Sequence, residues 1–166
     1  MEEEKKLSFR KSLSCFPTGV AVATTNTSDL TPIGITINSF SSVSLDPPLI
    51  SWCIDLNSNC LNHFRENNNF AINILSKNQI DICKHFSGKD NKNFNVIKWH
   101  ISSLELSVLN DSVAIFECEI YQRYNGGDHE IILGRVLNHH NNEKIPLIYG
   151  KSEFSYLNLE NSKNEN

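Results

Sequence analysis

"SVAIFECEIYQRYNGGDHEIILGRVL", residues Ser112–Leu137, carries the clearest structural pattern in the chain. Ala114, Phe116, Cys118 and Ile120 alternate with Glu117, Glu119 and Tyr121, the period of two expected of a strand with one wet face. "NGGDH" (Asn125–His129) follows, rich enough in glycine to turn the chain back, and "EIILGRVL" (Glu130–Leu137) is its return strand.

Upstream, "VAVATT" (Val20–Thr25), "IGITI" (Ile33–Ile37), "LISWCI" (Leu49–Ile54) and "FAINIL" (Phe70–Leu75) are short apolar runs bounded by Gly, Pro, Asn or Ser. They read as core strands. "LSVL" (Leu106–Leu109) and "LIYG" (Leu147–Gly150) bring the expected total to about seven or eight. Two or three short helices are expected. Ser8–Phe16 places Phe9, Leu13 and Phe16 on one side before Pro17 and Gly19 stop it, Asn59–Asn67 pairs Leu61 with Phe64, and Asn78–Phe86 aligns Ile80, Cys83 and Phe86. So many short strands in one domain favour closure into a barrel, a mainly β fold with short helices. The 166 residues suit one domain over 1–158, with a polar tail over 159–166.

A net charge of −4 with no cluster of Lys and Arg argues against nucleic acid and anionic membranes as partners. The start "MEEEKKLSF" has neither the basic nor the apolar segment of a signal peptide, and no apolar run reaches spanning length, so the chain reads as cytoplasmic. Cys15, Cys53, Cys60, Cys83 and Cys118 are odd in number and lack a Cys-x-x-Cys pair, which suits reduced thiols. No metal is expected: His139-His140 has no Cys or carboxylate at ligand spacing.

"GITINSFSSVSLDPP" (Gly34–Pro48) is polar yet lies between two buried strands. On residue types alone it is either a solvated turn or a cradle of hydroxyl and N–H donors around an anion. Pro47-Pro48 biases Asp46 toward extended backbone and aims the chain into the next strand.

The opening segment, taken with "FPTGVAVATT", "FAINIL", "FSGKDNKNF" and "GDHEIILGRV" in that order, resembles the flavin reductase family built on the FMN-binding split β-barrel. Members are the small reductase components that supply reduced flavin to two-component monooxygenases. The resemblance covers Phe9–Tyr156 and implies FMN, or FAD, as flavin, NADH or NADPH as co-substrate, a homodimer and a monooxygenase partner. It assigns Thr36, Asn38 and Ser39 to the phosphate and ribityl chain. The backbone of Ser41, Ser42, Val43 and Ser44 falls along the isoalloxazine edge, with Cys53 on the following strand. Ser58-Asn59-Cys60 stands where the family often has Ser-x-Thr; Ser58 keeps the phosphate role, Cys60 is a poor donor in place of Thr, and Asn59 is a candidate N-cap. Phe86, Ser87 and Gly88 close over the phosphate or ribityl end, near Lys84, Lys89 and Lys92. His129 lies on the nicotinamide side, oriented by Asp128.

Each assignment has a plainer structural reading: Phe86 as core, the lysines as a solvated face, "GGDH" as a hairpin turn. Two other functions share the fold. One is an FMN-binding electron-transfer protein with little NAD(P)H activity, and the other an oxidase like the pyridoxamine phosphate oxidases. The second is disfavoured by the lack of an Arg- and Lys-rich substrate site.

Overall fold

The computed structural model describes residues 3–27, 29–88 and 93–158. In chain order the elements are α1 (Glu3–Leu13), β1 (Thr18–Gly19), β2 (Ala21–Asn26), β3 (Pro32–Ile37), β4 (Ser41–Leu45), β5 (Pro48–Asp55), α2 (Leu61–Glu66) and β6 (Asn69–Ile74). Then follow α3 (Ile80–Ser87), a 3-10 turn (Phe94–Val96), β7 (Trp99–Ile101), β8 (Ser107–Leu109), β9 (Ala114–Gly126), β10 (His129–Asn141), β11 (Leu147–Gly150) and β12 (Glu153–Tyr156).

β2 is buried along its whole length because both its faces meet a core. Ala21 and Ala23 point into one cluster with Trp52, Phe64, Phe70 and Ile132, while Val20 and Val22 point into another with Leu75, Phe86, Phe94 and Leu147. The strand's period of two thus serves two layers at once. Around it runs a seven-stranded sheet in the order β3-β2-β6-β9-β10-β5-β4. All its pairings are antiparallel. The sheet curls until β3 contacts β5 without pairing to it, which leaves a seam in the barrel wall.

The β9–β10 hairpin is as the sequence predicts. Gly126 pairs with His129 across a two-residue turn, Gly127-Asp128, whose first position needs the positive φ (+82°) that glycine adopts freely.

Three expectations are corrected. Glu117 is buried, not on a wet face, because the loop between β7 and β8 covers that side of β9; the carboxylate accepts from the Ser102 hydroxyl and from Asn138 Nδ2 at 2.7 Å. Ser41–Leu45 is a strand rather than part of a loop, paired to β5 with a bulge at Val43. The first helix ends at Leu13, and none of its residues is buried. Phe9, Leu13 and Phe16 are 57%, 58% and 77% exposed, so they meet no core among the described residues. The tail 159–166 lies outside the described residues.

The turn joining β11 to β12 puts two non-glycine residues in the left-handed region, Lys151 at φ 49° and Ser152 at 66°. Each carries the Cβ–carbonyl crowding that glycine avoids. Ser152→Gly is therefore expected to stabilise the fold by about 1 kcal/mol, seen as a rise of roughly 2–4 °C in Tm. An unchanged or lower Tm would show the turn to be unstrained.

Candidate functional site

Two adjoining clefts open on β3, one facing β11 and β12 and the other facing the end of β5. One, of about 510 Å³, has apolar walls from Val20, Ile37, Tyr149 and Phe154, with Asn38 and Lys84 also lining it. The other, of about 560 Å³, is lined by Ile35, Asp55, Asn57, Ser58 and Asn59. Thr36, Ser87 and Gly88 belong to both.

The shared wall exists because α3 lies directly on β3. A Cβ on Gly34 would fall 2.7 Å from Phe86 Cε1, so only glycine allows this approach. Phe86 is fully buried, 4.9 Å from the Phe94 ring: its side chain is core, and its backbone hands Ser87 and Gly88 to the clefts. The Thr36 hydroxyl donates to Cys83 O at 2.8 Å and the Ser87 hydroxyl to the same oxygen at 2.6 Å. Both protons are thereby engaged, leaving lone pairs on these two oxygens.

Ser58 differs. Its Oγ accepts the Cys60 N–H at 3.2 Å, which leaves its proton for a ligand. Cys60, not Asn59, occupies the N-cap position of α2, and it makes no side-chain cap; its thiol lies 3.6 Å from Gly34 O, away from the cleft. Asp55 Oδ1 accepts from the Asn57 amide N–H at 2.7 Å and from Asn57 Nδ2 at 3.2 Å, which closes the turn that presents Ser58.

Ser39 stands outside both clefts. Its Oγ accepts the Cys53 N–H at 2.9 Å and donates to Cys53 O at 3.3 Å. With its one proton engaged, it ties the connector after β3 to β5 instead of donating to a phosphate, a correction to the role the resemblance implied. Burial pushes the Cys53 thiol up against an opposing hydrogen bond from Ser39, and burial does the same at Cys83. Ser41, Ser42, Val43 and Ser44 lie on β4, an outermost strand of the sheet, paired to β5. Among the described residues its other backbone edge pairs with no strand.

His129 and Asp128 lie at the hairpin tip. His129 pairs with Asp55 across β10 and β5, one strand from the Ser58 cleft, and the Leu56 N–H donates to Asp128 O at 3.0 Å. His129 Nδ1 meets Asp128 Oδ1 at 2.7 Å, which directs Nε2 away from the carboxylate. That hydrogen bond, with the imidazole's charge and a smaller contribution from Arg10 of α1, holds the Asp128 carboxyl below its usual range. Lys84 is exposed at the rim; Lys89 and Lys92 lie outside the described residues.

Motif reading missed Val20, Tyr149 and Phe154, which reach the apolar cleft from both ends of the chain, and Asp55 and Asn57 in the turn. "CID" followed by Asn57 and Ser58 does look like a strand running into an Asx turn, the one local signal available.

An apolar slot joined to a hydroxyl- and amide-lined lobe suits a flat ring bearing a polyol phosphate, and the two volumes are of ligand-pocket size. The chain belongs to the flavin reductase like domain family, whose model matches residues 13–158. It is 38% identical over 151 residues to the FMN reductase (NADH) SmoA of Agrobacterium fabrum, covering 91% of this chain and 86% of that protein. It is 39% identical over 129 residues to the reductase component of the flavin-dependent trigonelline monooxygenase of Acinetobacter baylyi, covering 78% of this chain but 42% of that protein. Among solved structures, the NADH:FAD oxidoreductase SgcE6 of Streptomyces globisporus, in complex with NAD and FAD fragments, superposes with a TM-score of 0.90 at 28% identity, covering 97% and 98% of the two chains.

Because Ser39 bridges backbone groups, Ser39→Ala is expected to cost about 1 kcal/mol of stability and to weaken FMN and riboflavin binding in equal proportion. Thermal unfolding and parallel flavin titrations check this. A loss confined to FMN would return the Ser39 proton to the phosphate.

Proposed function

We propose that this chain is an NAD(P)H:flavin oxidoreductase that reduces FMN, with FAD an alternative flavin, and supplies the reduced flavin to a partner monooxygenase. The observation that carries the reading is the pair of adjoining clefts on β3, the Ser58 cleft lying one strand away from His129. Family membership and the FMN reductase and monooxygenase component among its relatives support it.

The apolar lobe of Val20, Ile37, Tyr149 and Phe154 takes the ring and excludes water from one side of it. Asn38 reaches toward the ribityl chain, and the Ser58 proton with the neighbouring Asn57 and Asn59 amides meets the phosphate. The backbone edge of Ser41–Ser44 offers fixed dipoles beside the ring. When bound, the flavin supplies the acceptor for a hydride from the nicotinamide. No protein acid or base is required for that transfer, so the chain's work is positioning. His129, its Nδ1 fixed by Asp128, presents Nε2 to hold the nicotinamide side.

The functional unit is a homodimer. The exposed Phe9 and Leu13 of α1, with Phe16 just beyond its end, support this, since an 11-residue helix with no buried residue is marginal alone. The site of action is the cytoplasm, consistent with free thiols at Cys15, Cys53, Cys60, Cys83 and Cys118.

His129→Ala is expected to leave fold and FMN affinity intact while kcat/KM for the nicotinamide falls about tenfold to a hundredfold, or roughly 1.4–2.8 kcal/mol of positioning energy. Stopped-flow reduction of the FMN-bound variant by NADH measures it; an unchanged rate at every NADH concentration would remove His129 from the site. If neither NADH nor NADPH is consumed by the native protein with FMN, FAD or riboflavin, the reductase reading fails.

Phe9→Asp combined with Leu13→Asp is expected to convert a dimer into a monomer in sedimentation equilibrium. A native protein that is monomeric at micromolar concentration would refute the dimer.

A further inference from the structure

Immediately after His129, Glu130 carries a carboxylate that is only 12% exposed and holds two arginines. Arg65, on α2, donates from Nε at 3.0 Å and Nη2 at 2.8 Å to Oε2. Arg123, on β9, donates from Nη1 at 2.8 Å to Oε1, and its Nη2 donates to Phe64 O in the last turn of α2. Burial raises the Glu130 carboxyl, but these hydrogen bonds and charges outweigh it and keep the group below its ordinary value. It is therefore ionised at neutral pH. A half-buried ion triad adds little net stability, since desolvation offsets attraction, so stability alone does not explain it.

Its place in the fold does. The turn bearing Ser58 begins where β5 ends, and there it is fastened to the hairpin by the His129–Asp55 pairing and by the Leu56 N–H to Asp128 O. It ends in α2, a six-residue helix without a side-chain N-cap, anchored to the core by Leu61 and Phe64. Two apolar anchors on so short a helix resist lifting but leave rotation about its axis weakly specified. The Glu130 clamp fixes that rotation by gripping Arg65 and, through Arg123, the Phe64 carbonyl. Both ends of the Ser58 turn are thus tied to Asp128–Glu130 of a single hairpin.

We propose that Glu130 is a positioning residue, with Arg65 and Arg123 as its arms, that sets the phosphate-binding turn of Ser58 in register with His129. The proposal rests on the reading above that the Ser58 lobe takes the flavin phosphate. Glu130 lines neither cleft; it acts through α2 and the hairpin.

The test compares FMN with riboflavin, which lacks the phosphate, by fluorescence titration of the full chain and of its Ser58→Ala, Arg65→Ala, Arg65→Lys and Glu130→Gln variants. Arg65 is 46% exposed, so its removal leaves the fold in place even if Glu130→Gln does not. Arg65→Ala and Glu130→Gln are expected to raise the Kd for FMN about threefold to tenfold with riboflavin changed by less than about twofold, and to raise KM for NADH while kcat holds. Arg65→Lys, which keeps one donor, is expected to restore part of the loss. If Ser58→Ala changes the FMN-to-riboflavin ratio while Arg65→Ala and Glu130→Gln leave it unmoved, the clamp is only structural and the proposal is wrong. If Ser58→Ala itself leaves the ratio unmoved, the lobe does not take the phosphate, and both claims fall.

Discussion

The contact between Phe86 and the bare Cα of Gly34 determines where everything in the site can be. α3 is eight residues long and lies on β3 only because position 34 has no side chain. Any Cβ there would push the Phe86 ring off the strand and into Phe94, and the end of the helix would move with it. Ser87 and Gly88 would then leave the wall that the two clefts share. A packing constraint in the core thus fixes that wall, and the wall decides whether a ring and its phosphorylated tail can occupy the two clefts together.

The end of α3 also decides which hydroxyls are free. Cys83 O stands four residues before Ser87, the last residue of the helix, so it belongs to the intrahelical ladder and is not one of the unpaired terminal carbonyls. The Thr36 and Ser87 hydroxyls donate to it as well, so groups that look like phosphate ligands in the sequence have their protons committed within the fold. The Ser58 hydroxyl, which accepts the Cys60 N–H, keeps its proton, and Lys84 is exposed at the rim of the neighbouring cleft.

Sequence patterning was informative wherever one periodicity governed one element. The hairpin from Ser112 to Leu137 and the short strands of the core could be read from alternation and turn residues. It failed where a second layer intervened. Glu117 looks solvent-facing until the Ser102 loop covers it, and Ser41–Leu45 looks like a loop because its serines are exposed while its strand character comes from β5 beside it. Ser39 could not be told from a phosphate ligand, since the groups that consume its proton and lone pair are fourteen residues away at Cys53. Tyr149 and Phe154 meet Val20 because β11 pairs with β1 and β12 with β11 in a separate three-stranded sheet, a juxtaposition no local window contains.

α1 is joined to the candidate site through the last strands of the fold. Its end is tied to the β11–β12 turn by the Lys151 N–H donating to Ser14 O at 2.7 Å, and Gly150 closes on Pro17 just beyond it. That turn lies between Tyr149 and Phe154, which wall the apolar cleft. A displacement of α1 therefore reaches the cleft wall through one short turn, and the exposed Phe9 and Leu13 on the same helix put an uncovered apolar surface at the other end of that connection.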